Sequence, residues 1–420
     1  MQQWYRKLDF LTLFAWAGVV AVGLVAIYST THGPAAEYLP ESVQQNFQRQ
    51  FMWSIVCLGF VIGTLFFPIR FFQRIAYPVY ALVIGLLGLT LAIGESVGGA
   101  KSWIDLGFAQ IQAAEIAKPG TVLGVAALLT SRRPDSNNVR YAVGAVVMLL
   151  IPAVLILMQN DTGTALVFLG LIPIMLFWSG LPIPTMLLMV APAIVGYFVI
   201  YELTWIAVIL GIIITGYIFW RTGERYMGIL AGLATGGTIL VTAVALTSVL
   251  APHQVARIKS FTNPDAPQYR KGVGFNLVQS KAAIGSGGMT GKGFMEGTQT
   301  QGAYVPEQST DFIFSVIGEE FGFVGSVVVL ALFGLLLVRI VQLGAQVKHP
   351  FANMMAAGAV GVYTIHIFIN LGMVTGLLPV IGIPLPFVSY GGSALLANTS
   401  MLAVVLDLHM RRDDFSIYGY

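Results

Sequence analysis

Twelve stretches of the chain are nearly free of charge and close to the length of a membrane-crossing helix. They fall near 10–29, 51–67, 77–94, 111–130, 140–158, 163–179, 183–201, 205–220, 228–250, 312–338, 352–377 and 389–409. An α-helix needs about 20 mostly apolar residues to cross a bilayer. Within the hydrocarbon only helices and closed barrels satisfy their own backbone. The pattern predicts an all-α polytopic membrane protein with about 10–12 transmembrane helices. Between 163 and 220 the turns are so short that some stretches could be interfacial, or parts of one long tilted helix. With 56% hydrophobic and 10% charged residues, against about 25% charged in soluble domains, a water-soluble globule is excluded.

The basic residues orient the bundle. Short connections on one side carry Arg6, Lys7, Arg70, Arg74, Arg132, Arg133, Arg140, Arg221, Arg225, Arg339, Lys348, Arg411 and Arg412, and those on the other only Arg49 and Lys101. The positive-inside rule then puts both termini in the cytoplasm. Trp53, Trp103, Trp178, Trp205 and Trp220 stand near proposed span ends, as interfacial anchors do. No small-residue cleavage site follows the first run promptly, so it reads as a retained helix. The single cysteine, Cys57, has no partner for an intrachain disulfide and reads as a small buried residue. The net charge of +3 is dispersed and gives no nucleic-acid signal. Residues 1–420 read as one integral-membrane domain, with a long outer loop at 251–311. Loops of this length are usually functional.

Ionisable groups in or beside spans are costly and point to function. Glu115 and Lys118 share a helix face at i,i+3 before Pro119. They read as a site pair or as a structural ion pair at a kink. Asp161 in QNDTGTA sits where an N-cap would be, without that role excluding another. The loop sequence GSGGMTGKG lacks the Walker A pattern, with Ser286 and Gly293 at the critical positions. It still offers glycine backbone to an anion, with Lys281 and Lys292 nearby, unless it is only a flexible turn. Asp311 in PEQSTDFIF stands at the mouth of a span, as a functional carboxylate or a first-turn acid. Asp311, Ser315, Gly318 and Gly322 would share one narrow polar face suited to line a cavity. Glu319 and Glu320 lie deeper and need partners such as Lys118 or Lys281. His366 and Asn370, at i,i+4, could hydrogen-bond within the bundle. LPVIGIPLPFVSYGGSAL (378–395) strings Gly and Pro between spans, which protein or a cavity must cover. Neither a transition-metal cluster nor a Ser–His–Asp pattern is present. Together these groups suggest a polar, partly basic outer cavity fit for a phosphate-bearing amphiphile.

The order of KSWIDLGFAQIQAAEIAK, QNDTGTA, QSKAAIGSGGMTGKG, GTQTQ, PEQSTDFIF and GIPLPFVSYGGSAL resembles that of the SEDS (FtsW/RodA) family over roughly 20–410. QSKAAIGSGG, with Lys281, is closer to its RodA-type members. The resemblance implies a SEDS-type helical bundle and a peptidoglycan glycosyltransferase. Such an enzyme polymerises lipid II on the outer face of the bacterial cytoplasmic membrane during elongation, beside a class B penicillin-binding transpeptidase and other elongation-machinery proteins. It places the family's essential acid on Asp311 and its Glu and Lys on Glu115 and Lys118. Two departures stand out. Asn160 replaces the family's usual proline, and 183–250 holds about two helices beyond the usual ten spans.

The donor's diphosphate is α-linked and the product linkage is β, so one inversion implies a single in-line displacement. Asp311 is the expected base. Lys118, Lys281 and then Arg270 or Lys292 are the expected partners of the diphosphate, with Thr310 and Ser389 beside it. A divalent cation (Mg or Mn) on Asp161 or Glu115 could share that work, and no organic cofactor is expected. The competing expectations are a lipid II flippase, which would need access from both leaflets, and a non-catalytic scaffold for the transpeptidase. The ionisable groups gather toward the outer half, which favours the enzyme.

Overall fold

The computed structural model describes residues 7–97, 100–105, 110–131, 139–245, 262, 266 and 274–412. It divides into two compact units, residues 1–175 with 279–420 and residues 176–278. The helices are α1 (Phe10–His32), α2 (Glu41–Gln44), α3 (Asn46–Thr64), α4 (Ile69–Ile93), α5 (Ala113–Leu129), α6 (Val139–Met158), α7 (Thr162–Trp178), α8 (Ile183–Ile200), α9 (Thr204–Thr222), α10 (Arg225–Val244), α11 (Phe275–Ser286), α12 (Ile313–Glu320), α13 (Gly322–Gln346), α14 (Pro350–Thr375) and α15 (Gly392–Met410). Among the described residues nine are long and apolar enough to cross a membrane: α1, α4, α6, α8, α9, α10, α13, α14 and α15. The shorter apolar α7, with α3 and α5, fills the remaining predicted stretches.

In the larger unit α5, α14 and α15 form the centre. α15 is largely buried by its neighbours, and α13 far less so. Small residues permit this closeness. A Cβ added at Gly120 would lie 2.9 Å from Val83, and one at Gly358 would lie 2.3 Å from Val122. Helices in lipid associate through such close packing because apolar burial alone does not favour contact with protein over lipid.

The turns between α7 and α10 are true reversals. Gly180 (φ 102), Glu202 (φ 61) and Gly223 (φ 68) adopt left-handed backbone there, so these are separate helices. In the smaller unit α8, α9 and α10 pack together around Val195, Val199 and Ala207.

Two features depart from the sequence expectation. Before α5 the chain forms an antiparallel sheet, β1 (Glu95–Val97), β2 (Ala100–Asp105) and β3 (Gln110–Gln112). Trp103 faces Gln112 and Ile104 faces Ile111. Second, the stretch predicted as one span from 312 breaks into α12 and α13 at Gly322, whose φ is 65. A Cβ there would lie 2.3 Å from the Gly291 nitrogen. The glycine loop fills this joint. Lys292 and Gly293 donate backbone N–H groups to the Glu319 and Glu320 carbonyls at 3.0 and 3.1 Å, while Phe323 donates to Gly288 O at 2.9 Å. Its glycines therefore serve close backbone packing.

Candidate active site

Asp311 sits in the turn that precedes α12, outside the spanning helices. Three consecutive carbonyls of this turn are held. The Tyr390 N–H donates to Ser309 O at 2.9 Å. The Ser389 hydroxyl donates to Thr310 O at 2.6 Å, and the Asn370 amide donates to Asp311 O at 2.8 Å and to Ile383 O at 2.7 Å. From α3, Asn46 donates to the Ser309 hydroxyl at 3.2 Å. One turn later Gln50 donates to Ser389 O at 3.2 Å and accepts from the Gly391 N–H at 3.1 Å. The Gly/Pro segment 376–391 and the Asp311 turn are thereby bound together. Gly382 is required at their contact, because its φ is 72 and a Cβ would lie 3.1 Å from Asp311 Oδ2.

Asp311 retains partial access while lying deep among protein atoms. Burial, reinforced by the carboxylates of Glu307 and Asp161, pushes its pKa up to about 7. The Thr310 hydroxyl, partly exposed beside it, donates to Glu307 Oε2 at 3.0 Å. Ser389, expected beside the substrate, is nearly enclosed. Its oxygen accepts from the Leu385 N–H at 2.8 Å while its proton goes to Thr310 O.

Glu115 and Lys118 lie close to this segment but face the bundle. Both are 1% exposed. The Lys118 ammonium is 2.7 Å from Glu115 Oε2 and 2.9 Å from His366 Nε2, and His366 Nδ1 is 3.0 Å from Pro384 O. This commits Lys118 internally rather than to a diphosphate, and Glu115 to Lys118 rather than to a cation. Asp161 accepts from the Thr164 N–H and hydroxyl, both at 2.9 Å, as the cap of α7, and from Gln112 Nε2 at 3.0 Å. Asn160 before it has φ 63, which a proline ring cannot reach. The local turn therefore differs from one built on Pro, yet the Asp161 cap is intact.

Lys292 is also committed, at 2.6 Å from Glu319 Oε1. The buried Glu319 accepts further bonds from the Gln299 N–H and from the Thr300 N–H and hydroxyl. Glu320 accepts from the Ser29 hydroxyl at 2.5 Å and from Gln301 at 2.8 Å. Neither acid uses Lys118 or Lys281, the partners expected from sequence. The polar face expected along 311–322 is packed as well. Ser315 meets Ser280 at 2.7 Å, a Cβ on Gly318 would lie 3.1 Å from Ile284, and Gly322 forms the joint. Lys281, next to Ser280, is exposed and without a hydrogen bond or ion pair among the described residues. Arg270 lies outside the described residues. Asn46 and Gln50 escaped the sequence reading, although an amide pair at i,i+4 just before an apolar run was its visible signal.

A family model described as a cell cycle protein, FTSW_RODA_SPOVE, matches residues 9–208 and 204–414. The chain belongs to the FtsW/RodA/SpoVE family. It is 31% identical over 438 residues to the peptidoglycan glycosyltransferase RodA of Treponema pallidum (strain Nichols), covering 96% of this chain and 98% of that one. It is 32% identical over 359 residues to the peptidoglycan glycosyltransferase MrdB of Escherichia coli (strain K12), covering 85% and 84%. A chain from a solved peptidoglycan synthase complex, described as coordinating polymerization and crosslinking, superposes with a TM-score of 0.72. The two are 29% identical, with 96% and 98% of the chains covered. With its apolar helices, this family membership makes the chain an integral membrane protein.

Proposed function

We propose that this FtsW/RodA/SpoVE-family chain polymerises lipid II on the outer face of the bacterial cytoplasmic membrane, with Asp311 as general base. The chain is a peptidoglycan glycosyltransferase. The observation that carries the assignment is Asp311 itself, a partly open carboxylate on a turn whose backbone carbonyls at 309, 310 and 311 are all held, with a pKa pushed up to about 7. Such a group takes a proton efficiently near neutral pH.

In the proposed step the acceptor 4-hydroxyl oxygen attacks the anomeric carbon of the donor sugar. Its proton passes to Asp311. The bond from that carbon to the diphosphate oxygen breaks, and the lipid diphosphate leaves with the electron pair. Lys281, exposed and unpaired among the described residues, binds the diphosphate. Thr310 lines the approach. Lys118, Glu115, Lys292 and Ser389 build the site from behind.

A divalent cation, Mg or Mn, accompanies the diphosphate in this reading. Magnesium is usually held by one or two carboxylates together with substrate phosphates. Asp161 fits that role, being partly accessible and close enough to raise the Asp311 pKa. Glu115 does not fit, since its carboxylate is taken by Lys118. The cation would supply charge neutralisation for the leaving group.

A monofunctional class B transpeptidase is the proposed partner, supported by the likeness to a chain of a synthase complex. Both termini are cytoplasmic in this reading, supported by the basic residues. The test is conversion of purified lipid II to glycan strands by the reconstituted chain. Wild-type synthesis with an inactive Asp311→Asn variant supports the assignment, and synthesis by that variant at the wild-type rate rejects the base.

A further inference from the structure

We propose that Asn370 is a positioning residue for the Asp311 base, with His366 one turn earlier on α14 as its support. The inference rests on the reading of Asp311 as the base.

Hydrogen-bond roles fix the side-chain orientation. Both groups facing Asn370 are backbone carbonyls, of Asp311 at 2.8 Å and Ile383 at 2.7 Å. Carbonyls only accept, so the Asn370 NH2 group must face them. One amide therefore ties the residue carrying the carboxylate to the Gly/Pro segment that passes it. The residue before Ile383 is Gly382, whose α-carbon side abuts Asp311 Oδ2. The carboxylate abuts the backbone at Gly382, and Asn370 holds both that segment and the one that carries Asp311.

His366 extends the same grip. Pro384 O can only accept, so His366 Nδ1 carries the proton and donates to it at 3.0 Å. His366 Nε2 then accepts from the Lys118 ammonium at 2.9 Å, and Lys118 is paired with Glu115. Successive carbonyls, 383 and 384, are thus fastened to one face of α14, and that face is braced against α5.

The competing explanation is that Asn370 merely stabilises a loop. Its other amide atom argues against this. Asn370 is 0% exposed, and its Oδ1 is buried with no hydrogen-bond partner among the described residues. An unpaired buried carbonyl-type oxygen costs stability. A group retained at that cost, and facing the backbone of the base, fits placement of the carboxylate better than stability alone.

The experiment measures initial rates of glycan synthesis against lipid II concentration for the full chain with its transpeptidase. The set is wild type, Asn370→Ala, Asn370→Ser, Asn370→Asp, Tyr363→Phe and Asp311→Asn, each checked for folding by thermal unfolding in detergent. Misplacing a reacting group by about 1 Å costs on the order of 10²-fold, so Asn370→Ala should lose kcat by that order. KM should stay within about threefold, as expected when transition-state placement and not binding is lost. Asn370→Asp should be as slow, because a carboxylate cannot donate to two carbonyls. Asn370→Ser, with one donor, should fall between.

Tyr363→Phe removes a comparable buried bond on the same helix, from the phenol to Asn398 O at 2.6 Å. It should keep kcat near wild type. A kcat for Asn370→Ala within about threefold of wild type, or an equal loss in Tyr363→Phe, overturns the inference. If Asn370→Ala does not fold, Asn370→Ser is judged by the same criterion. An inactive Asp311→Asn with a fast Asn370→Ala rejects the positioning role alone. A fast Asp311→Asn rejects the base and the inference together.

Discussion

As the proposed base Asp311 would act only when ionised, so its pKa of about 7 would set the acid limb of the rate. Activity should rise with pH through about 7 and fall away below it, measured as lipid II consumption from pH 5 to 9. Stability should respond in the opposite sense. Because the folded pKa is raised above the ordinary 3.8, the folded chain keeps a proton that the unfolded chain has lost. This group's contribution to stability is fully present below about 3.8 and is lost as pH rises through about 7. Asp311→Asn should remove that dependence from the unfolding midpoint. Lys281→Gln should raise KM for lipid II by about tenfold, the loss of roughly 1.4 kcal/mol of charge-assisted binding. Its thermal midpoint should stay unchanged, since the side chain is exposed and unpaired among the described residues. The carboxylate at a helix mouth was legible in the sequence because Pro306 and the hydroxyls of Ser309 and Thr310 announce a turn before the apolar run. The commitment of Lys292 was not legible, because Glu319 meets it only when the glycine loop folds onto the α12–α13 joint.

At the scale of elements, α5 is joined to α14 by the Glu115–Lys118–His366 chain. Removing one partner of a buried ion pair costs about 3–5 kcal/mol, because the other charge is left uncompensated. Lys118→Ala should therefore lower the unfolding midpoint sharply, and Glu115→Leu with Lys118→Met should recover much of the loss. A Lys118→Ala variant with unchanged stability and a purely raised KM would instead return Lys118 to the substrate. The i,i+3 spacing identified the pair, but its burial depends on His366, 248 residues away in the chain. The same limit explains the missed sheet. Its strands span three to six residues, too short for a hydropathy window, and their pairing is set by the fold. The break at Gly322 was hidden because apolar character continues across it, while the positive φ comes from packing against Gly291.

At the scale of the molecule, apolar length and near-absence of charge defined a polytopic bundle, since few other structures bury that much backbone in lipid. Eleven of the twelve stretches reappear as single helices over their described residues and the one from 312 as the pair α12 and α13, while those between 163 and 220, whose short turns left their separation open, are the separate helices α7, α8 and α9. The motifs lie on connections and helix ends, where polar side chains can meet a substrate at the edge of the hydrocarbon. In the proposed reading the bundle holds the base in the Asp311 turn, places beside Ser280 a lysine that is unpaired among the described residues, and ties both segments to a braced centre of α5, α14 and α15. The most direct test is glycan polymerisation from purified lipid II by the reconstituted chain and its transpeptidase, with Asp311→Asn alongside. General-base removal is worth about 10²–10⁴-fold. A loss of that size in a folded, membrane-inserted variant is the predicted result, and strand synthesis by the variant at the wild-type rate would contradict the account.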